Sequence, residues 1–233
     1  MTPIVNKESK ESKKKVSLKT SYYQDSTLYE IGVDEVGRGP MFGRVYTAAV
    51  CLPKEESGLF DHSLMKDSKK FTGKNNKKIV EVAEYIKANA LAWSVSYESE
   101  TVIDQINILQ ATQSAMHSSI VKTVESLGQP LTNVRLLIDG NYFIPYSSVN
   151  HVCIEGGDNS YSAIAAASIL AKVARDQYIS ELCEENPDLI EKYSLNTNKG
   201  YGSKAHLAGI IEYGITQWHR KTFGLCKQYS NKN

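Results

Sequence analysis

Residues 29–43 read Tyr-Glu-Ile-Gly-Val-Asp-Glu-Val-Gly-Arg-Gly-Pro-Met-Phe-Gly. Ile31 and Val33 are β-branched within an apolar stretch, which reads as a strand. Asp34 and Glu35 interrupt that stretch just before a glycine-rich turn. A carboxylate inside a buried strand is costly unless it is paired or binds a metal. Two adjacent acids followed by Gly37-Arg38-Gly39-Pro40 point to a place where a cation and a phosphate meet. No other feature of the chain narrows the fold and the chemistry as much.

At 233 residues the chain can hold one good-sized core, or one core with an appendage. Cys51, Cys153, Cys183 and Cys226 are far apart and form no C-x-x-C pair. That argues against a zinc knuckle or a disulfide framework and fits a reducing compartment. The longest apolar run, Ala163 to Ala171, is too short to span a membrane. The first lysines are followed by no apolar stretch, so no secretory signal and a cytoplasmic location are expected. Net charge is +1 but uneven: residues 1–20 carry +4 and residues 199–233 carry +5, leaving −8 between them. Basic ends around an acidic middle suit a polyanion-binding surface beside a carboxylate cluster. Charge alone favours the plainer reading of a solvated tail and a solvated face.

Residues 1–25 are rich in Lys, Ser and Glu and read as a disordered arm. Leu28–Val33 and Val45–Leu52 read as two strands joined by the glycine loop, hence an antiparallel pair. Lys74–Ala90 has helical spacing at Ile79, Val82, Ala83 and Ile86. Leu91–Tyr97 is a strand. Ile103–Ser126 is a helix with Ile103, Ile106, Leu109, Met116 and Ile120 as core candidates. Val134–Ile138 and Val149–Ile154 are strands, Asn159–Leu182 is a long alanine-rich helix, and residues 184–233 hold shorter helices and loops. The expected fold is α/β, with a mixed central sheet flanked by helices and a helical C-terminal region.

Four acids fall at element boundaries: Asp34, Glu35, Asp139 and Asp158. Taken singly, Asp139-Gly140 is a turn signal and Asp158 an N-cap of the alanine-rich helix. Together they supply about the right ligand set for two divalent cations roughly 3.5–4 Å apart. Oxygen-only ligands favour Mg2+ or Mn2+ over zinc. Asp176 lies about 27 Å from Asp158 along an unbroken helix, so a structural ion pair is its expected role. Gly37-x-Gly39-x-x-x-Gly43 leads into a strand rather than a helix, which argues against a dinucleotide site.

These residues resemble the type 2 ribonucleases H (ribonuclease HII). The likeness is carried by Asp34-Glu35-Val36-Gly37-Arg38-Gly39-Pro40, Asp67-Ser68-Lys69, Ile103-Asp104 with Asn107-Ile108, and Ile138-Asp139-Gly140. Gly157-Asp158 then leads into Ile164 to Asp176. Lys199-Gly200-Tyr201-Gly202, His206, Gly214, His219-Arg220 and Phe223 complete it. The resemblance covers roughly residues 29–224.

It implies a ribonuclease H fold, with a catalytic core over 26–182 and a helical substrate-binding region over 183–233. It implies endonucleolytic cleavage of RNA in RNA–DNA hybrids and on the 5′ side of ribonucleotides embedded in duplex DNA. Products would be a 3′-hydroxyl and a 5′-phosphate. Asp34, Glu35, Asp139 and Asp158 would bind the metals. Gly37, Arg38 and Gly39 would lie at the scissile nucleotide, and Tyr201 would pack on the neighbouring deoxyribose. Ser68 and Lys69 would contact phosphates.

On the residues alone Tyr201 also reads as a packed turn aromatic and Lys69 as a solvated lysine. His206 and His219 read as surface or capping residues. The chain departs from the family at Met41-Phe42-Gly43-Arg44, where Arg44 is a further candidate phosphate contact. No clamp-binding tail of the form Q-x-x-[ILM]-x-x-aromatic-aromatic is seen, and a monomer is expected. The competing readings are another two-metal nuclease, such as a 3′–5′ exonuclease, and a catalytically silent nucleic-acid-binding protein.

Overall fold

The computed structural model describes residues 17–65 and 76–230. The candidates Ser68 and Lys69, and residues 1–16 of the expected arm, lie outside the described residues. The strands are β1 (Tyr29–Val36), β2 (Val45–Cys51), β3 (Ala92–Glu98), β4 (Val134–Asp139) and β5 (Asn150–Ile154). The main helices are α1 (Asn76–Asn89), α2 (Glu100–Leu127) and α3 (Ser162–Glu185). The shorter α4 (Asp188–Tyr193), α5 (Leu195–Asn198) and α6 (Lys204–Tyr213) follow. One mixed sheet runs β3-β2-β1-β4-β5. As expected, β1 and β2 are antiparallel, while β4 is parallel to β1. β1 extends past the expected Val33 because pairing continues to Val36 against Tyr46, which puts both acids inside the strand.

Helices cover both faces of the sheet, so the central strands are apolar almost throughout. On one face Ala48 and Val50 meet Ile79 and Ile86 of α1 and Ala166 and Ile169 of α3. On the other, Ile31, Val33, Leu136 and Ile138 meet Met116 and Ile120 of α2. Each fully buried Val, Leu, Ile or Met side chain among them contributes about 1.5–3 kcal/mol. The alanines of α3 have a geometric reason. A Cβ on Gly32 would stand 2.2 Å from the Ala163 carbonyl carbon, so α3 lies directly on β1. A third cluster, with Phe42, Ile179, Leu189, Tyr193 and Ile210, joins the glycine loop to the C-terminal helices.

Three expectations change. Residues 17–25, expected within the disordered arm, include a docked segment. Glu30, buried at the start of β1, accepts hydrogen bonds from the Tyr22 and Tyr23 amides at 2.9 and 2.7 Å. A buried carboxylate needs donors, and the chain's own amides supply them. Ile106 and Leu109, expected in the core, are 41% and 37% exposed. Between them Asn107 leaves helical geometry (φ 67°), and its side chain caps Leu109 N and Gln110 N at 2.9 and 3.1 Å. The helical phase restarts there and turns both residues outward. Asp158 is not the cap of α3. It sits in a 3-10 turn over Gly157–Asn159, and Tyr161 occupies the N-cap. Among the described residues no helix is long and apolar enough to cross a membrane.

Candidate active site

Parallel pairing of β1 with β4 runs from Tyr29 opposite Val134 to Val33 opposite Ile138. Continued by one residue, that register sets Asp34 level with Asp139 at the carboxyl ends of adjacent strands, close enough for the Asp139 charge to act on Asp34. Residues at one register level point to the same face of a sheet. Ligands of open α/β sheets gather beyond such ends. The Asp34 carboxylate is buried. It accepts from the Glu35 amide at 2.7 Å and is hydrogen-bonded by Ser168 of α3. Burial, then the charges of Glu35 and Asp139, hold its pKa well above the usual carboxylate range. Burial also raises Glu35, and Arg38, with its Nη1 at 3.4 Å, partly offsets this.

Asp139 reaches across to the next turn. Its Oδ1 accepts from Gly157 N at 2.7 Å. Gly156 adopts a left-handed φ of 64°, which folds the chain back toward that oxygen. Asp158, one residue further, is 3% exposed and accepts from Asn159 Nδ2 at 2.8 Å. Asp34, Glu35 and Asp139 therefore share one electrostatic neighbourhood, and the Gly157 bond tethers the Asp158 turn to it. The donor set is all oxygen. The mutual repulsion it carries is the condition a divalent cation relieves, so these residues fit Mg2+ or Mn2+. Among the described residues no three Asp, Glu, His or Cys side chains are already drawn around a single point. Glu35 and Asp139 open onto a cleft whose far wall is Thr112, Gln113 and Met116 of α2 together with Tyr142.

The glycine loop is held from within by two buried arginines. Arg220 donates to the carbonyls of Gly37 (2.6 Å), Arg38 (3.0 Å) and Gly43 (2.8 Å). Arg175 donates to Phe42 (3.2 Å), Arg44 (3.3 Å) and Lys199 (3.0 Å). Burial, then Arg175, press the Arg220 pKa down to about 9, which leaves it charged at neutral pH. Gly37 has no alternative residue. Its φ is 91°, and a Cβ there would lie 2.3 Å from Arg175 Nε. With the carbonyls turned inward, the Arg38 side chain stays 49% exposed on the outer edge. Gly39 faces Tyr201, whose Cε1 would lie 3.8 Å from a Cβ on it. Met41 N bonds Gly200 O at 2.9 Å and fastens the two loops together.

The structure thus brings Gly37, Arg38 and Gly39 beside Tyr201, which is half exposed rather than packed away. Arg44 differs from expectation. Its guanidinium lies between the rings of Tyr97 and Tyr178, 4.1 and 4.3 Å from their centroids, rather than reaching toward a phosphate. His206 and His219 are fully buried, not surface residues. Asp176 pairs with Lys172, the structural ion pair expected of it. Asp104 accepts from the amides of Lys221 and Thr222 at 2.8 and 2.9 Å, so α2 is tied to the C-terminal segment. Sequence reasoning gave no role to Arg175, Arg220 or Asp104. The dipeptide His219-Arg220 was a visible signal, but nothing local shows that its guanidinium is buried.

A family model described as Ribonuclease HII matches residues 31–226. Ribonuclease HII of Bacteroides thetaiotaomicron is 45% identical over 203 residues, covering 87% of this chain and 93% of that protein. Ribonuclease HII of Phocaeicola vulgatus is 43% identical, with 87% and 92% covered. Among solved structures, the chain in the complex of PCNA with RNase HII from Archaeoglobus fulgidus superposes with a TM-score of 0.64 at 23% identity, covering 85% of this chain and 96% of that one. Bst-RNase HIII in complex with Mn2+ gives 0.63 at 20% identity, covering 88% and 70%. The latter two establish the fold. The chain belongs to the ribonuclease HII family, metal-dependent endonucleases that hydrolyse the RNA strand of RNA–DNA hybrids.

Proposed function

We propose that Asp34, Glu35, Asp139 and Asp158 hold two divalent cations, Mg2+ or Mn2+. We also propose that the loop Gly37–Gly39 and Tyr201 select a ribonucleotide for cleavage on its 5′ side. The observation that carries this reading is the register of β1 and β4, which brings the buried Asp34 and the half-buried Asp139 to neighbouring strand ends where the glycine loop begins. Two such ions, when bound, activate the attacking water and stabilise the leaving oxygen of a phosphodiester. Glu35 and Asp139 border the open cleft, and rotation of their side chains would let them turn toward a cation held with Asp34 and Asp158.

The outer edge of the glycine loop offers backbone groups to a ribose 2′-hydroxyl. A site that hydrogen-bonds a substrate hydroxyl rejects the deoxy analogue because its own groups are left unpaired. The Tyr201 ring, exposed beside Gly39, stacks on the adjoining sugar. The exposed Arg38 guanidinium is placed for a phosphate. Ser68 and Lys69 are proposed as further phosphate contacts. Products are a 3′-hydroxyl and a 5′-phosphate, substrates include a lone ribonucleotide in duplex DNA, and the enzyme acts as a monomer.

The test is a labelled DNA duplex with one ribonucleotide, incubated with Mg2+ or Mn2+, with the cut mapped to the nucleotide. One cut on the 5′ side of the ribonucleotide, and none in the all-deoxy duplex, is the expected result. Degradation of the all-deoxy duplex from its ends would identify an exonuclease instead.

A further inference from the structure

His206 and His219 form a buried chain of hydrogen bonds with one possible direction. The Thr216 backbone N–H, which can only donate, points at His219 Nδ1 at 2.9 Å. That nitrogen is therefore the acceptor, and a neutral His219 carries its proton on Nε2. His219 Nε2 faces His206 Nε2 at 3.1 Å, so His206 accepts there and carries its own proton on Nδ1. His206 Nδ1 lies 3.0 Å from the carbonyl oxygen of Tyr201, to which it donates. Burial pushes both imidazoles below their ordinary range, His219 to about 3, which keeps the pair neutral. A second proton would set two N–H groups head to head.

The far end of this chain is the loop that carries Tyr201. Gly200 and Gly202 flank the tyrosine, and Gly200 has φ 86°, so the segment has little stiffness of its own. The Tyr201 carbonyl also accepts from Ser203 N at 2.8 Å. The near end is the dipeptide His219-Arg220, whose second residue clamps Gly37 and Arg38. One dipeptide therefore fixes both sides of the Gly39–Tyr201 gap.

We propose that His206 and His219 are positioning residues for substrate selection: their relay sets the height of Tyr201 over Gly39 and so governs preference for a lone ribonucleotide over a long hybrid. This rests on the reading of Tyr201 given above. A long hybrid offers many sugars that can slide into register. A single ribonucleotide offers one, and a displacement of about 1 Å can cost as much as ~10²-fold in rate.

The experiment compares kcat/KM on a duplex with one ribonucleotide and on a long RNA–DNA hybrid. The proteins are wild type, His219→Phe, His219→Gln, Tyr201→Ala and the double variant His219→Phe/Tyr201→Ala. The expected result is a loss for His219→Phe that is at least ~10-fold larger on the single-ribonucleotide duplex. That selective loss vanishes in the Tyr201→Ala background, as residues acting through one another are non-additive. His219→Gln, whose amide can accept from Thr216 and donate to His206, restores most of it. Equal losses on both substrates, additivity with Tyr201→Ala, or no rescue by Gln overturns the proposal. Should His219→Phe fail to fold, His206→Leu runs the same comparison from the other end. If wild type leaves the single ribonucleotide uncut, the reading of the site falls and the relay falls with it. If Tyr201→Ala is selective and the histidine variants are not, the relay alone falls.

Discussion

Arg220 Nη2 donates to the carbonyl oxygen of Gly37 at 2.6 Å across 183 residues of chain. The bond is one of three that a single buried guanidinium makes to the glycine loop, and it fixes which way that loop's backbone faces. A planar fork can serve three carbonyls at once, whereas an ammonium on a flexible stem cannot. Arg220→Lys is expected to lower stability by about 2–4 kcal/mol, since each buried carbonyl left unpaired costs about 1–3 kcal/mol. The same variant is expected to lose cleavage more steeply than hybrid binding. Urea unfolding and single-turnover rates check both. Unchanged stability would mean that the loop holds its shape without the clamp.

Glycine substitutions separate backbone strain from crowding. Gly37→Ala meets both a φ of 91° and Arg175 Nε at 2.3 Å, and is expected to abolish cleavage. Gly128→Ala, at the end of α2, has φ 64° and open space around its Cβ. It is expected to cost only about 1–2 kcal/mol and to leave the rate intact. A Gly37→Ala protein that still cuts near the wild-type rate would remove the loop from the site.

The carboxylates are expected to destabilise the fold when no cation is present. Asp34 is buried beside Glu35 and Asp139, and its pKa is raised by burial and by both neighbours. Asp34→Asn is expected to reduce cleavage by about 10²–10³-fold or more. Without divalent ions the same variant is expected to melt at a higher temperature than wild type, by about 2–4 °C per kcal/mol gained. Asp176→Asn loses its pair with Lys172 and should keep its activity once folded. Calorimetry with and without Mn2+ distinguishes a charge effect from a packing effect. A lower melting temperature for Asp34→Asn in chelator would contradict the repulsion argument.

Acid stability carries a signature of the histidine pair. The His219 pKa falls from an ordinary 6.5 to about 3, so between these values the unfolded chain binds a proton that the folded chain refuses. Its contribution is complete above about pH 6.5 and is lost as pH falls toward 3, at about 1.4 kcal/mol per pH unit. Asp34 and Glu35, with raised values, shift stability in the opposite sense as pH falls. The measurement is therefore the difference between wild type and His219→Gln. It should shrink steadily as pH falls from 6.5 to 4. A flat difference would show that His219 does not resist protonation.

Much of this architecture was legible in the sequence because period and composition are local. The β-branched run at Ile31 and Val33, the alanines of α3 and the turn at Asp139-Gly140 each announce their element within a few residues. The antiparallel start of the sheet followed from the short glycine loop. The relations that position the site were not legible, because they join distant segments. Nothing near Arg175 or Arg220 distinguishes a buried guanidinium from a solvated one. Asn107 interrupts a periodic helix with one side-chain cap, and periodicity averaged over a window passes across it. The Asp34–Asp139 rung depends on a parallel register, which a sequence does not print.

Arg220 has a consequence for the order in which the protein acquires its properties. Every proposed metal ligand is encoded by residue 158, whereas Arg220, the second of the two arginines that hold the glycine loop, arrives 62 residues later. Domains tend to fold from the N-terminus during synthesis. A growing polypeptide therefore carries its acids on the ribosome well before Arg220 can hold the glycine loop. On the reading proposed above, cleavage competence is the last trait the nascent chain gains, and a product terminated ahead of Arg220 is expected to carry the carboxylates without the clamp on Gly37 and Arg38.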